Sequence, residues 1–270
     1  MSTDAEFVEG DIRDPHSVLR AMAAIDVVFH LAASVGNKRS IDNPSNDGVS
    51  NAIGTLNVLE AARFTGCRKI VYSSSAAIFG EPRAIPVPAD HPTTPLTPYG
   101  ASKLAGENYV LSYNDLYDIY GICLRYFNVY GERQRFDAYG NVVPIFATRL
   151  LAGQQLVIYG DGEQTRDFVS VDDVVQANLK AADASGIRGT FNVGSGVATT
   201  VNELARLIVA TTPKAVGIMH EPPRPGDVRH SRADISATVA ALGYRPSVDL
   251  GLGLRSYVDW LRGEIARSGS

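Results

Sequence analysis

Apolar and polar positions along the chain change period several times. Residues 6–9, Glu-Phe-Val-Glu, predict a short strand ending at Gly10-Asp11. Asp14 then offers an N-cap oxygen with Pro15 at the first helical position, so a helix follows. Residues 26–31, Asp-Val-Val-Phe-His-Leu, are nearly all apolar, the pattern of a strand buried on both faces. Val49, Ile53, Leu56 and Leu59 recur at helical spacing within residues 45–64, and Gly66 can close that helix. Lys69-Ile-Val-Tyr-Ser-Ser is the next strand. Six prolines between residues 80 and 98 predict a long loop. A helix begins near Tyr99, and Ile122-Cys-Leu-Arg-Tyr126 is a further strand.

Strand and helix therefore alternate, which predicts an α/β fold with a doubly wound parallel sheet and right-handed crossovers. The second half is less regular. Helices are expected at 143–152, 171–184, 200–211 and 251–265, with short strands at 156–159 and 189–193. A boundary near residue 128 gives a first domain of residues 1–127 and a smaller α/β domain of residues 128–270. Segments near 167–195 are free to return to the first domain.

Composition narrows the function classes. The chain has 270 residues, 45% hydrophobic and 20% charged, as in ordinary globular proteins. A net charge of -4 argues against a broad nucleic-acid surface. There is no apolar run of about 18 residues, so no membrane span is expected. The first residues have no basic and apolar regions of the signal-peptide kind. Cys67 and Cys123 make no disulfide framework, and reduced thiols suit the cytoplasm. The five histidines show no ligand spacing, so no metal is expected; His30, on a buried strand, reads as a satisfied core histidine. Asp172-Asp173 suits a helix N-terminus. Gly194-Ser-Gly196 resembles a dinucleotide turn but lacks the third glycine, and is read as a plain turn.

The strongest local chemistry is Tyr99-Gly-Ala-Ser-Lys103. At the start of a helix, Lys103 falls one turn beyond Tyr99 on the same face. A tyrosine titrates near pH 10, but an adjacent ammonium favours the phenolate, which makes it usable as a general base and acid. Ser73-Ser74-Ser75 ends a strand 24 residues upstream. Ligands of open parallel sheets sit beyond the carboxyl ends of the strands, where Ser75 and Tyr99 can meet over one reacting oxygen.

With these two motifs in place, the sequence resembles the extended short-chain dehydrogenase/reductase family, in its NAD-dependent nucleotide-sugar epimerase/dehydratase branch. The shared blocks are Gly10-Asp11-Ile12, His30-Leu-Ala-Ala33, Asn51-x-x-Gly54-Thr55, Ser73-Ser-Ser-Ala-Ala-Ile-Phe-Gly80, Tyr99-x-x-x-Lys103, Arg125-Tyr-Phe-Asn128-Val-Tyr-Gly131, Tyr159-Gly-Asp-Gly-Glu-Gln-Thr-Arg166 and Arg224-Pro-Gly-Asp227-Val-Arg-His-Ser231. They are most similar to the UDP-glucose and UDP-N-acetylglucosamine 4-epimerases.

The resemblance implies a Rossmann-type NAD-binding domain (residues 1–127) and a substrate domain (residues 128–270). It implies C4 epimerisation of a UDP-hexose through a transient 4-keto sugar. Tyr99, Lys103 and Ser75 would be catalytic. Asp11, Ile12, Leu31, Ala32, Ala33, Asn51, Ser73 and Phe127, with Tyr99 and Lys103, would contact NAD. Asn128, Val143, Tyr159, Arg166, Arg224, Asp227 and Ser231, with Ser75 and Tyr99, would contact the UDP-sugar. A homodimer through helices 45–64 and 99–118 is implied as well. Related dehydratases carry an Asp-Glu pair after the catalytic hydroxyl; Ala76 and Ala77 stand here, and neither can move a proton. Ser231 is small where a larger residue would crowd an N-acetyl group, although it could instead cap a helix near Asp234.

The family also opens with a strand, a Gly-x-x-Gly-x-x-Gly turn, a helix and a second strand, which hold the cofactor's pyrophosphate. This sequence has no such glycine pattern. The chain is therefore expected to lack that first unit and, by itself, to hold NAD weakly. A UDP-glucuronate epimerase or decarboxylase, or a silent nucleotide-sugar-binding protein, are the other readings.

Overall fold

A computed structural model describes residues 5–136, 141–214, 216–223 and 228–268. The first half runs through α1 (Pro15–Ala21), β1 (Val27–His30), α2 (Asn37–Asp42), α3 (Pro44–Gly48), a π-helical turn (Val49–Ile53) and α4 (Gly54–Thr65). It continues with β2 (Lys69–Ser75), a 3-10 turn (Ala76–Phe79), α5 (Pro98–Leu116) and β3 (Tyr120–Tyr126). The second half holds β4 (Asn128–Tyr130), α6 (Val142–Leu151), β5 (Leu156–Tyr159), β6 (Thr165–Arg166), β7 (Phe168–Ser170), α7 (Val171–Asp183) and β8 (Gly189–Val193). It ends with β9 (Thr199–Thr200), α8 (Val201–Val209), β10 (Ile218–Glu221), α9 (Ser236–Leu242) and α10 (Leu250–Ser268).

The main sheet is parallel, in the order β1-β2-β3-β8. Alternating side chains send its two faces to different helices. Ile70, Tyr72 and Cys123 pack with Val58, Leu59, Val110 and Tyr113 of α4 and α5. Val71, Ile122 and Leu124 pack on the other face with Val174, Ala177 and Ala181 of α7. The chain thus leaves the sheet after β3, forms β4 to β7, and returns through α7 to β8. A separate core in the second half joins α6, β5, α8 and α10 through Phe146, Leu150, Leu156, Leu204, Leu254 and Leu261. Among the described residues, no helix is long and apolar enough to cross a membrane.

Local capping explains the main helix starts. Asp14 accepts from the His16 and Ser17 amides at the head of α1. Thr97 accepts from the Gly100 amide at the head of α5, followed by Pro98. Gly66 ends α4 in the left-handed region.

Three expectations are corrected. Residues 6–9 form no strand, because no described strand lies alongside to pair with them. β1 is not buried on both faces: it is an edge strand, and Phe29 is 40% exposed. Residues 45–64 are not one regular helix. The π-helical turn, in which Gly54 N–H reaches Val49 O, adds a residue to one turn, and Val49 and Ile53 emerge at the surface while Val58 and Leu59 stay buried.

A buried ion pair seats α5 on the sheet. Arg125 of β3 meets Glu107 of α5 through Nη2–Oε1 at 2.6 Å and Nε–Oε2 at 3.1 Å. Ser74 Oγ donates to Glu107 Oε2 at 2.6 Å, and Arg125 Nη1 donates to Ala89 O in the proline-rich loop. The guanidinium also stacks 5.1 Å from the Phe79 ring centre. One residue earlier, Gly106 lets the helix approach Tyr72: a Cβ there would lie 2.3 Å from the tyrosine oxygen.

Candidate active site

The carboxyl end of β2 and the first turns of α5 meet at Ser75 and Tyr99. Gly100 permits this approach, since a Cβ there would lie 2.5 Å from the carbonyl oxygen of Ala77. The Ser75 side chain accepts from Ala77 N at 3.2 Å and lies close enough to the Tyr99 phenol to draw its pKa down. Lys103, one turn on, is 3% exposed, with Nζ 4.4 Å from the Tyr72 ring centre. Tyr72 Oη donates to Lys103 O at 3.1 Å. The predicted trio is therefore assembled in one place.

Its electrostatics differ from the expectation. Burial lowers Lys103 to about 8, while Asp47 and Glu107 pull it upward. Burial pushes the Tyr99 phenol above its ordinary value; the Ser75 hydrogen bond draws it back and the charge of Asp47 adds to the rise. Sequence spacing suggested an ammonium acting directly on the phenol. The structure instead places that ammonium on the Tyr72 ring, so desolvation governs Tyr99 in the free protein.

The other expected positions fall in three groups. Asp11, Ile12, Ala32 and Ala33 line an open cleft of about 360 Å³ together with Gly10, Arg13, Ser34, Arg39, Asn46 and Ser50. Leu31 lines the adjoining cleft and is 60% exposed. Arg13 grips Asp11 through Nε at 3.0 and 2.9 Å, and this hydrogen bonding lowers the Asp11 carboxyl to about 2. Small alanines and exposed polar groups at the end of a parallel strand fit the adenosine side of a dinucleotide. Asn51 is buried in the π-helical turn: Oδ1 accepts from Ser34 N at 2.8 Å and Nδ2 donates to Ser34 O at 2.9 Å. It therefore pins the irregular segment that leads from β1 into the cleft. Ser73 Oγ donates to Tyr126 Oη at 3.1 Å and is almost wholly enclosed.

Phe127, also expected at the cofactor, packs under the site against Phe79 and Val87. Asn128 Nδ2 donates to Asp167 O at 3.2 Å. Tyr159 ends β5, and Arg166 lies on β6, with Nη1 donating to Thr165 O at 2.8 Å. Ser231 N donates to Thr165 O at 3.1 Å, so Ser231 lies beside the strand that carries Arg166. It does not cap α9, which follows Ile235 without a side-chain cap. Val143 is a correction: its side chain is packed into the second-half core, 2% exposed, because it lies on the inner face of α6. Arg224 and Asp227 lie outside the described residues.

Two carboxylates escaped the sequence reading. Asp167 accepts from Ser195 N, Ser195 Oγ, Gly196 N and Ala233 N at 2.6 to 3.0 Å. The Ser195 and Gly196 amides of the turn are thus turned inward onto an internal carboxyl group. Asp47 is fully buried beside Asn51 and Ser102. The hint lay in spacing: Asp47 stands four residues before Asn51, and Ser102 immediately before Lys103.

Comparison with known proteins places the arrangement. The family model described as "NAD dependent epimerase/dehydratase family" matches residues 1–194. A UDP-glucose 4-epimerase of Mycolicibacterium smegmatis is 43% identical over 263 residues, covering 95% of this chain and 83% of that protein. The crystal structure of a Thermotoga maritima UDP-glucose 4-epimerase with UDP-glucose superposes with a TM-score of 0.93 at 38% identity, covering 98% of this chain and 87% of that one. A UDP-N-acetylglucosamine 4-epimerase of Methanobrevibacter ruminantium, in complex with UDP-N-acetylmuramic acid, gives 0.91 at 33% identity, covering 95% and 83%.

His30 supplies a pH test of the site's dry floor. Thr55 Oγ1 donates to Asn51 O at 2.6 Å, so the 2.9 Å contact between His30 Nε2 and Thr55 Oγ1 uses the ring's proton. Burial, aided by the charge of Lys103, lowers His30 from 6.5 to about 3. The unfolded imidazole therefore takes up a proton between those values that the folded one refuses, and stability falls as pH drops from 6.5 towards 3. At pH 5 the loss is about 2 kcal/mol relative to pH 7 or above. Urea unfolding at pH 7 and pH 5 should show this gap shrinking by about that amount in His30→Gln. An unchanged gap would mean His30 is not held neutral.

Proposed function

Since the chain belongs to the NAD dependent epimerase/dehydratase family, we propose that it epimerises UDP-hexoses at C4, interconverting UDP-glucose and UDP-galactose. The observation that carries this reading is the meeting of Ser75, at the carboxyl end of β2, with Tyr99, in the first turn of α5, with Lys103 buried one turn behind. NAD, when bound, supplies the hydride acceptor and donor and a cationic ring.

The chain's own residues supply positions and protons. Tyr99 takes the proton of the sugar 4-hydroxyl as hydride leaves C4. Ser75 holds the same oxygen. The 4-keto sugar turns over in the site, hydride returns to its other face, and Tyr99 gives the proton back. No net oxidation results. Lys103 carries the positive charge that favours the phenolate. The cleft formed by Asp11, Ile12, Leu31, Ala32 and Ala33 fits the adenosine half of NAD. Asn51, Ser73 and Phe127 support the nicotinamide half. Asn128, Tyr159, Arg166, Arg224, Asp227 and Ser231 belong to the UDP-sugar side, where arginine forks match diphosphate oxygens. In this reading, residues 1–127 with α7 and β8 carry the cofactor, and the rest of residues 128–270 carry the nucleotide. Ala76 and Ala77 follow Ser75 in the 3-10 turn, and their methyl groups rule them out as proton carriers for 4,6-dehydration.

Three finer statements belong to the same reading. Ser231 leaves room for an N-acetyl group, so UDP-N-acetylglucosamine is accepted as well. The exposed apolar residues Ile53, Phe64, Tyr109 and Leu116 on and beside α4 and α5 suit a homodimer. The free, buried Cys67 and Cys123 suit the cytoplasm.

Tyr99→Phe is expected to lower UDP-glucose/UDP-galactose interconversion, assayed with NAD supplied, by roughly 10²- to 10⁴-fold; full activity would sink the scheme. Ser231→Tyr should lower the activity on UDP-N-acetylglucosamine relative to UDP-glucose by roughly tenfold or more, and an unchanged ratio refutes the size argument. Sedimentation should give the mass of two chains, and Leu116→Glu should give one.

A further inference from the structure

Asp167 has no part in the scheme above, yet it is 0% exposed, between β6 and β7. A carboxylate in such a place must be compensated. Oδ1 accepts from Ser195 N at 2.6 Å and Ser195 Oγ at 2.7 Å. Oδ2 accepts from Gly196 N and Ala233 N, each at 3.0 Å. Ser195 Oγ itself accepts from Val197 N at 3.2 Å, so its own proton is the one given to Asp167. The three amides can only donate. Each carboxyl oxygen thus faces two donated protons, an arrangement made for the carboxylate. Burial pushes the carboxyl up, and these four bonds draw it back.

The donors come from two segments far apart in the chain. Ser195 and Gly196 lie in the turn between β8 and β9. Ala233 belongs to residues 229–234, an irregular strap that crosses from β6 to the proline-rich loop. At one end Thr165 N donates to Arg229 O and Ser231 N to Thr165 O, both at 3.1 Å. At the other end Val87 N donates to Arg232 O at 2.7 Å and Asp234 N to Val87 O at 2.9 Å. The Ala233 amide takes part in neither bridge and donates to Asp167. Gly194 keeps that contact open: a Cβ there would lie 2.7 Å from Asp167 Oδ2 and 2.8 Å from Ala233 Cβ. The main chain of Asp167 completes the joint, its carbonyl accepting from Asn128 N at 3.0 Å and Asn128 Nδ2 at 3.2 Å. Three residues of the UDP-sugar side therefore meet at one buried anion. Asn128 is hydrogen-bonded to its carbonyl, Arg166 precedes it in the chain, and Ser231 lies two residues before Ala233.

We propose that Asp167 is the positioning residue of the UDP-sugar side: its carboxylate braces the strap of residues 229–234 against the β8–β9 turn and so sets Ser231 relative to Arg166 and Asn128, without touching substrate. The inference rests on the reading of those three residues as UDP-sugar contacts. The brace is a matter of acceptor oxygens in the right places. Asp167→Ala removes all four acceptor positions and leaves three amides without partners, while the main chain still holds Asn128. Asp167→Asn is different. Its carbonyl oxygen can take the Oδ2 position and keep Gly196 N and Ala233 N, and its amino group can donate to Ser195 Oγ. The turn loses one amide partner, but the strap keeps its anchor.

Two measurements on the full chain test this: amide hydrogen exchange by peptide, and the Kd of UDP by calorimetry. In Asp167→Ala the peptide covering 229–234 should exchange about tenfold faster or more, with the α4 and α5 peptides unchanged. The Kd of UDP should rise by about tenfold or more, and Asp167→Asn should recover most of both changes. Unmoved exchange in the strap overturns the proposal. Faster exchange with an unmoved Kd overturns the positioning role, since a merely structural brace changes stability and not the affinity of the folded chain. An Asn variant as impaired as the Ala variant overturns the brace in favour of the charge itself. If Asp167→Ala does not melt cooperatively, Gly194→Ala decides: it keeps the carboxylate, sets a methyl group between it and the strap, and must produce the same pair of changes. Should the native chain show no affinity for UDP, the UDP-sugar reading falls, and exchange in the strap still decides whether Asp167 braces it.

Discussion

The buried pair between Glu107 and Arg125 is the contact on which the geometry of the site depends. Tyr99, Lys103 and Glu107 are spaced four apart on one face of α5. Whatever fixes the inner end of that face fixes its outer end. Two ions taken out of water cost several kcal/mol each unless their remaining hydrogen-bonding groups are met. Here they are met: Ser74 and the second carboxylate oxygen, Ala89 O and the third guanidinium nitrogen, and the Phe79 face. The pair also ties three separate segments, α5, β3 and the proline-rich loop, to one point under the substrate side.

The same dry interior sets the chemistry. Desolvation moves each neutralisable group towards its uncharged form: His30 down, Tyr72 and Cys123 up, Lys103 down to about 8. Glu107 and Arg125 keep theirs because each is the other's fixed partner of opposite charge. The floor thus contains few charges, each with an assigned neighbour, and a low local dielectric makes each of them count more.

Much of this was legible in the sequence. The strands Lys69–Ser75 and Tyr120–Tyr126 and the start of α5 follow from apolar runs, prolines and caps, which are local properties. The trio Ser75, Tyr99 and Lys103 was legible because strand end and helix start are adjacent in any open parallel sheet. What escaped was non-local. The edge position of β1 depends on its neighbours, and so Phe29 and residues 6–9 were misread. The π-helical turn leaves Val49, Ile53 and Leu56 at spacings an ordinary helix also shows. Val143 looked like pocket lining and lies in a core whose other members are up to 118 residues away, at Leu261. Asp167 reaches a turn 28 residues further on, a pairing that no local pattern records.

The π-helical turn has a consequence for how this chain can vary. A helix advances about 100° per residue, so deleting one residue from Val49–Ile53 would regularise the helix and rotate everything before it by that angle relative to α4. Asp47 and Asn51 would swing off Ser102 and Ser34 while Leu59 stayed in the core. The surface loops of the molecule can gain or lose residues at small cost. This five-residue turn cannot, and its length is as much a part of the site as any side chain in it.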